Sequence, residues 1–271
     1  MRVAYDGTEY HGFQRQRPGL RTVQELMEDA LSHLFAPPVR VRGAGRTDAG
    51  VHAWGQVVSF HGRGSAIPAE RLPWAMNAHL PPDVVVQAAW DVEPGFDARK
   101  SATGKVYRYY IWNREQPWPM FRRYSWHIPH PLDWEAMKRA GAYLVGEHDF
   151  ASFRDLGSSA RSTRRHVRNL QVCAPGEVAS SGGASPGGVP GPARLAESCS
   201  LWPVPAGTGY IEVEANGFLY RMVRVITGTL VEVGLGRRSV ESVAEALDRR
   251  ERAAAGVTAP PQGLVLVTVF Y

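Results

Sequence analysis

The chain has 271 residues, 44% of them hydrophobic, enough for one large domain or two smaller ones with separate cores. No apolar run approaches the roughly 20 residues that span a bilayer, no apolar segment follows a basic start as in a secretory signal, and Cys173 and Cys199 form no CxxC pair; this argues against a membrane-spanning helix, a disulfide scaffold and a structural zinc, so a reduced, cytoplasmic setting is expected. The net charge is +5 with a pI near 9.4, and the excess is concentrated between Arg99 and Arg168, which holds 14 basic and 6 acidic residues, as a polyanion-binding face would.

In chain order, a short strand over Arg2–Tyr5 runs into an Asp6-Gly7 turn. A helix is expected from Thr22 to about Phe35. Thr22 and Glu25 supply a capping box, and Val23, Leu26, Met27, Ala30, Leu31 and Leu34 share one face. Strands at about Val39–Arg42 and Gln56–Phe60 bracket a glycine-rich loop. A second helix, Pro68–His79, ends at Pro81-Pro82, and Val84-Val85-Val86 begins another strand. The first half thus reads β-α-β-β-α-β.

The second half repeats that order loosely. Thr103–Trp112 is strand-like, and Tyr124–Ile128 is an added short strand. Asp133–Leu144 is a helix between Pro131 and Gly146. Val167–Cys173 and Tyr210–Ala215 pair as an antiparallel hairpin. Tyr220–Val233 is a long apolar helix, Ser239–Arg250 a polar one, and Leu264–Phe270 a closing, central strand. The fold class expected is α+β: two similar sheet-and-helix halves, ferredoxin- or RNP-like, flanking a basic cleft. Residues 1–100 would form the half with the glycine-rich loop and residues 101–271 the other. Residues 174–209, dense in Gly, Pro, Ser and Ala, cannot bury enough apolar surface to offset their ordering entropy, and read as a flexible loop inserted in the hairpin.

Three stretches carry chemistry. In Gly43-Ala44-Gly45-Arg46-Thr47-Asp48-Ala49-Gly50-Val51-His52-Ala53 one carboxylate, Asp48, sits among glycines that permit sharp turns and close backbone approach. It is either a turn-stabilising Asp or a reactive group in a tight loop. Between Phe96 and Tyr110, cations and tyrosines interleave, as in a strand that stacks a base and holds phosphate, or in a half-buried edge strand. In the apolar helix from Asn216, Arg221 and Arg224 are three apart. They are either a snorkelling surface pair or a pair facing an anion such as Asp48 or RNA phosphate.

GAGRTDAGVHA, SATGKVYRYYI, GEHDFASFR, NGFLYRMVRVITGTLVEVG and APPQGLVLV, with the earlier YDGT, GFQRQ and NAHLPPD, occur in one order along nearly the whole chain. This series resembles the bacterial tRNA pseudouridine synthase A family. The resemblance implies isomerisation of uridine to pseudouridine at positions 38, 39 and 40 of the tRNA anticodon arm. It implies that Asp48 is the essential catalytic group, and that Arg46 pairs with it and occupies the site of the extruded base. Tyr107 would stack on the uracil, Arg224 would hold the aspartate by a salt bridge, and Leu264 would line the uracil pocket. It also implies a homodimer that uses tRNA as partner and neither metal nor organic cofactor. Two other functions fit the bare residues: an RNA-binding or chaperone protein with a vestigial site, and a hydrolase using Asp48 on an N-glycosidic bond. The hydrolase would want a second carboxylate, and no motif supplies one at a readable spacing.

Overall fold

A computed structural model describes residues 1–155, 157, 161–177 and 204–271, so most of the insertion expected at 174–209 lies outside the described residues. The elements run β1 (Arg2–Tyr5), α1 (Val23–Ser32), β2 (Arg42–Gly43), β3 (His52–Ser59), α2 (Leu72–Asn77) and β4 (Val84–Ala88). They continue with β5 (Gly104–Trp112), β6 (Trp126–His127), α3 (Trp134–Ala142), β7 (Gly146–Asp149), β8 (Arg164–Cys173), β9 (Thr208–Ala215), α4 (Met222–Gly234), α5 (Ser242–Arg249) and β10 (Leu264–Phe270). The architecture is α+β. Contacts group Met1–Lys105 with Val265–Val269 and Tyr271 as one unit, and Val106–Leu264 with Phe270 as the other.

In the first unit β1 is antiparallel to β3 on one side and to β4 on the other, with Val3 opposite Gln56 and Val86. β2 pairs antiparallel with β3, which completes the split β-α-β arrangement read from the sequence. β2 holds only two register pairs, Arg42 with Ser59 and Gly43 with Val58. At the other end of β3 the same edge is taken by β10, which runs parallel to it, Val265 opposite His52 and Leu266 opposite Ala53. The edge of β3 is therefore shared between two strands, and the β2–β3 connection, residues 44–51, leaves the sheet where one partner gives way to the other.

Helix α1 forms because Val23, Met27, Ala30 and Leu31 make a buried stripe and the Thr22 hydroxyl accepts the Glu25 N–H at 3.4 Å. Each Val, Met or Leu so buried contributes about 1.5–3 kcal/mol. Leu26 and Leu34, expected on that stripe, are only half-buried. Glu28, which the periodicity puts on the polar side, is 2% exposed. Its carboxylate takes Arg15 at 2.9 Å and Arg40 at 3.0 Å, together with the Gln24 amide and the Val41 N–H. That buried charge pins the approach to β2: Val39 and Val41 are buried in an irregular connection, Arg40 is exposed, and the strand begins only at Arg42. Asn77 ends α2 by bonding both the N–H and the carbonyl of Val86 on β4.

In the second unit the strand order is β5–β9–β8–β7. β8 and β9 form the expected hairpin, Val172 opposite Ile211. β7 is a strand the sequence reading missed: Gly-Glu-His-Asp shows no apolar alternation and pairs with β8 by its backbone. Asp133 caps α3 through the Ala136 N–H at 2.8 Å, and α3 packs on α4 and β8. Helix α4 is buried along almost its whole length. It begins at Met222 and not at Tyr220, because Arg221 adopts a left-handed backbone with φ 58°.

Candidate active site

Several neutral contacts hold the backbone of the motif loop in the first unit. The Tyr5 and Thr47 hydroxyls share a hydrogen bond of 2.8 Å. The buried Gln56 side chain donates to the Gly45 carbonyl at 2.8 Å. The Phe13 N–H donates to the Thr47 carbonyl at 3.0 Å and the Gly50 N–H to the Tyr10 carbonyl at 3.3 Å. Burial pushes the Tyr5 phenol up to about 12, against the opposing pull of its bonds to Thr47 and Gln56, so it stays a neutral partner near neutral pH. Beneath the loop lies Gly12, at φ +94°, where a Cβ would stand 2.7 Å from the Thr47 carbonyl oxygen and 3.2 Å from the Ala49 nitrogen. Only glycine meets both demands, the left-handed backbone and the close approach.

Asp48 through Val51 is a β-turn closed by the Val51 N–H on the Asp48 carbonyl at 3.1 Å, with Gly50 at φ +78° as its left-handed third residue. The turn is thus made by the Asp48 backbone, and its half-buried side chain is not what closes the turn. Arg46 is exposed. His52 is the first residue of β3; its Nδ1 accepts the Gly7 N–H at 3.0 Å and lies 3.1 Å from Asp6 Oδ1.

In the second unit Arg224 bonds the segment Ala259–Leu264, at whose end Leu264 lies, while Tyr107 packs on Phe218. Arg224 is 8% exposed. Its Nε donates to the Ala259 carbonyl at 2.7 Å, and the Ala259 N–H returns to the Arg224 carbonyl at 3.1 Å. Next along that segment the Pro260 carbonyl accepts the Tyr109 hydroxyl at 2.7 Å. Burial holds the Tyr109 phenol well above its usual range, partly offset by the Arg224 charge. Leu264 is buried at the start of β10, and the next residue, Val265, is the one opposite His52. Tyr107 is buried, its ring edge-on to Phe218 at 5.0 Å between centroids. A buried guanidinium in the first turn of a helix adds to the positive end of the helix dipole, an environment that favours an anionic neighbour.

Two sequence expectations need correction. Arg221 and Arg224 do not act as a pair on one helix face: the left-handed turn at Arg221 sends its guanidinium to Asp155 at 3.1 Å. Nor is Arg108 of β5 open to hold phosphate, since it is paired with Glu212 at 2.6 Å and lies 4.5 Å over the Tyr210 ring. The burial that confines Arg108 is offset by Glu212, which keeps the guanidinium firmly charged. Residues that sequence reasoning missed are Tyr5, Gly12 and Gln56. Tyr5 and Gly12 lie within the motifs YDGT and GFQRQ, a signal for them; Gln56 reads as an ordinary strand residue.

A family model described as tRNA pseudouridine synthase matches residues 1–99 and 140–271. A protein of Thermoanaerobacter sp. (strain X514) named tRNA pseudouridine synthase A is 44% identical over 99% of this chain and 97% of its own length. One of the same name from Geobacter sulfurreducens is 42% identical over 98% of this chain and 96% of its own, and one from Myxococcus xanthus 41% identical over 100% and 91%. The chain belongs to the tRNA pseudouridine synthase family, isomerases that convert uridine to pseudouridine in tRNA.

Proposed function

We propose that the chain isomerises uridine to pseudouridine at positions 38, 39 and 40 of the tRNA anticodon stem-loop, with Asp48 as the nucleophile acting on a uridine flipped out of the stack. The observation that carries the reading is the turn beneath Asp48, held by Tyr5, Phe13, Tyr10 and Gln56 before any substrate arrives. A carboxylate on so constrained a backbone is preorganised, which is where proximity catalysis comes from. The reaction breaks the N1–C1′ bond, turns the uracil and rejoins it through C5. Reactant and product contain the same atoms, so no group or hydride donor enters. A carboxylate can attack C1′, attack C6 or take the C2′ proton, and each route needs an ionised Asp48 beside the sugar.

Arg46, exposed on the loop, fills the place the base leaves; extruding that base costs a few kcal/mol of stacking. Arg224 holds the Asp48 carboxylate by a salt bridge, Tyr107 stacks on the uracil and Leu264 lines its pocket. Exposed cations of the basic segment, Arg99, Lys100, Arg114 and Arg122 among them, hold the tRNA backbone. The working form is a cytoplasmic homodimer, a reading that rests on the resemblance. The test is tritium release from C5-labelled uridine in three undermodified tRNAs, each with a single target at 38, 39 or 40. Release from all three, and none when that uridine is absent, is expected. Release of free uracil would make the enzyme a hydrolase, and release only from uridines elsewhere would refute the positions. A primary isotope effect from deuterium at C2′ would assign the proton-abstraction route.

A further inference from the structure

Asp155 lies after β7 and takes no part in the chemistry proposed above, yet three segments converge on it. Its Oδ1 accepts Arg252 Nε at 2.8 Å, its Oδ2 accepts Arg221 Nη1 at 3.1 Å, and the Thr258 hydroxyl lies 3.1–3.2 Å from both oxygens. Arg252 in turn donates to the Gly256 carbonyl at 2.8 Å and to the Thr258 hydroxyl at 2.9 Å, and the Asp155 N–H donates to the Tyr220 carbonyl at 3.2 Å. Both ends of what Asp155 grips lead directly to Arg224. Arg221 opens α4 in a strained left-handed conformation, and its carbonyl accepts the first helical bond, from Val225, at 3.0 Å. Thr258 immediately precedes Ala259, whose carbonyl orients the Arg224 Nε. The loop between them is pressed on α4. The Gly256 N–H bonds the Thr229 hydroxyl at 2.9 Å, and a side chain at Gly228 would collide with the Val257 carbonyl.

We propose that Asp155 is a positioning residue for the isomerisation: it clamps the start of α4 and the 252–258 loop to each other, and so sets the direction in which the Arg224 guanidinium presents its remaining donors. An arginine fork is useful only if its plane is aimed, and the Ala259 bond aims it. The inference rests on the role given to Arg224 above. It separates Asp155 from a purely structural ion pair, because a residue acting only on stability would leave the turnover of the folded enzyme unchanged.

The test is a double-mutant cycle on kcat by tritium release, with Asp155→Asn, Arg224→Lys and the double variant, each checked by thermal unfolding. Arg224→Lys keeps the charge but loses the bond that aims it. Asp155→Asn is expected to lower kcat at least tenfold with KM for tRNA within about twofold, and to cause no further loss in the Arg224→Lys background. Thr258→Val, which leaves both ion pairs of Asp155 in place, should give a smaller kcat loss, about threefold, and keeps the idea testable if Asp155→Asn does not fold. An undiminished kcat in Asp155→Asn, or an equal fractional loss in both backgrounds, overturns the positioning role. Wild-type turnover in Arg224→Lys and in Arg224→Gln instead overturns the reading of Arg224 itself.

Discussion

The loop that carries Asp48 and the frame that carries Arg224 are held by opposite means. The backbone of the Asp48 loop is held by neutral groups, among them two hydroxyls, one amide, backbone groups and a glycine where nothing else fits. Around Arg224 the frame is ionic, an aspartate shared by Arg221 and Arg252 with a threonine between them. The difference is instructive because the bonds that hold the Asp48 loop do not use the Asp48 side chain, which the proposed mechanism pairs with Arg224. An arginine buried in a helix can tolerate charges nearby, provided they are consumed in a closed network.

The comparison breaks most sharply at its centre. Asp48→Asn should reduce pseudouridine formation by at least about 10⁴-fold, as loss of a nucleophile does, while thermal unfolding and tRNA binding stay near wild type. Measurable tritium release from that variant would remove Asp48 from the mechanism. Next is Gly12→Ala, which meets both a left-handed backbone and the Thr47 carbonyl. A stability loss of about 2 kcal/mol in denaturant unfolding is expected, together with a fall in kcat, since the strain falls on the turn itself. An unchanged kcat would show that the loop does not need its floor.

Tyr5→Phe removes one neutral strut, and should lower stability by about 1 kcal/mol and turnover several-fold, with no change in the salt dependence of tRNA binding. Wild-type kcat in this variant would mean that the Thr47 bond contributes nothing to the placement of Asp48. The smallest effect separates the ionic frame from the neutral one by pH. Burial alone would raise the Asp155 carboxyl, but the bonds from Arg252, Arg221 and Thr258 leave it below the usual carboxylate range. A carboxylate with a depressed folded-state value contributes stability that is complete above its unfolded value, about 4, and lost as pH falls through the folded one. The stability gap between wild type and Asp155→Asn should therefore be constant near neutrality and close below about pH 4 in pH-dependent denaturant titrations. A gap that persists in acid would mean that the network stabilises by shape and not by charge.

What was legible in the sequence follows from which signals are local. The stripe Val23, Met27, Ala30, Leu31 and the strand runs of β8 and β9 are written in neighbouring residues, and the elements appear where they were expected. The glycine-rich loop stood out for the same reason. Glu28 was not legible, because helical spacing puts it among polar residues and only the arrival of Arg15 and Arg40 from separate segments makes its burial tolerable. Arg221 looked like part of a helix because its neighbours are apolar; the left-handed turn is imposed from Asp155, 66 residues earlier. β7 pairs with β8 through its backbone and shows no apolar alternation in its sequence, so side-chain pattern could not reveal it.

The divided edge of β3 also sets a clock. Translation delivers His52 and Ala53 roughly 200 residues before the Val265 and Leu266 that cover them. Throughout that interval the strand that follows the Asp48 turn carries an open row of amides and carbonyls, a template for any passing extended segment. A nascent chain, or one terminated before Leu264, has every residue of the loop and still lacks the strand that seats it. The strand that follows the Asp48 turn thus gains its last partner only when the end of the chain is made.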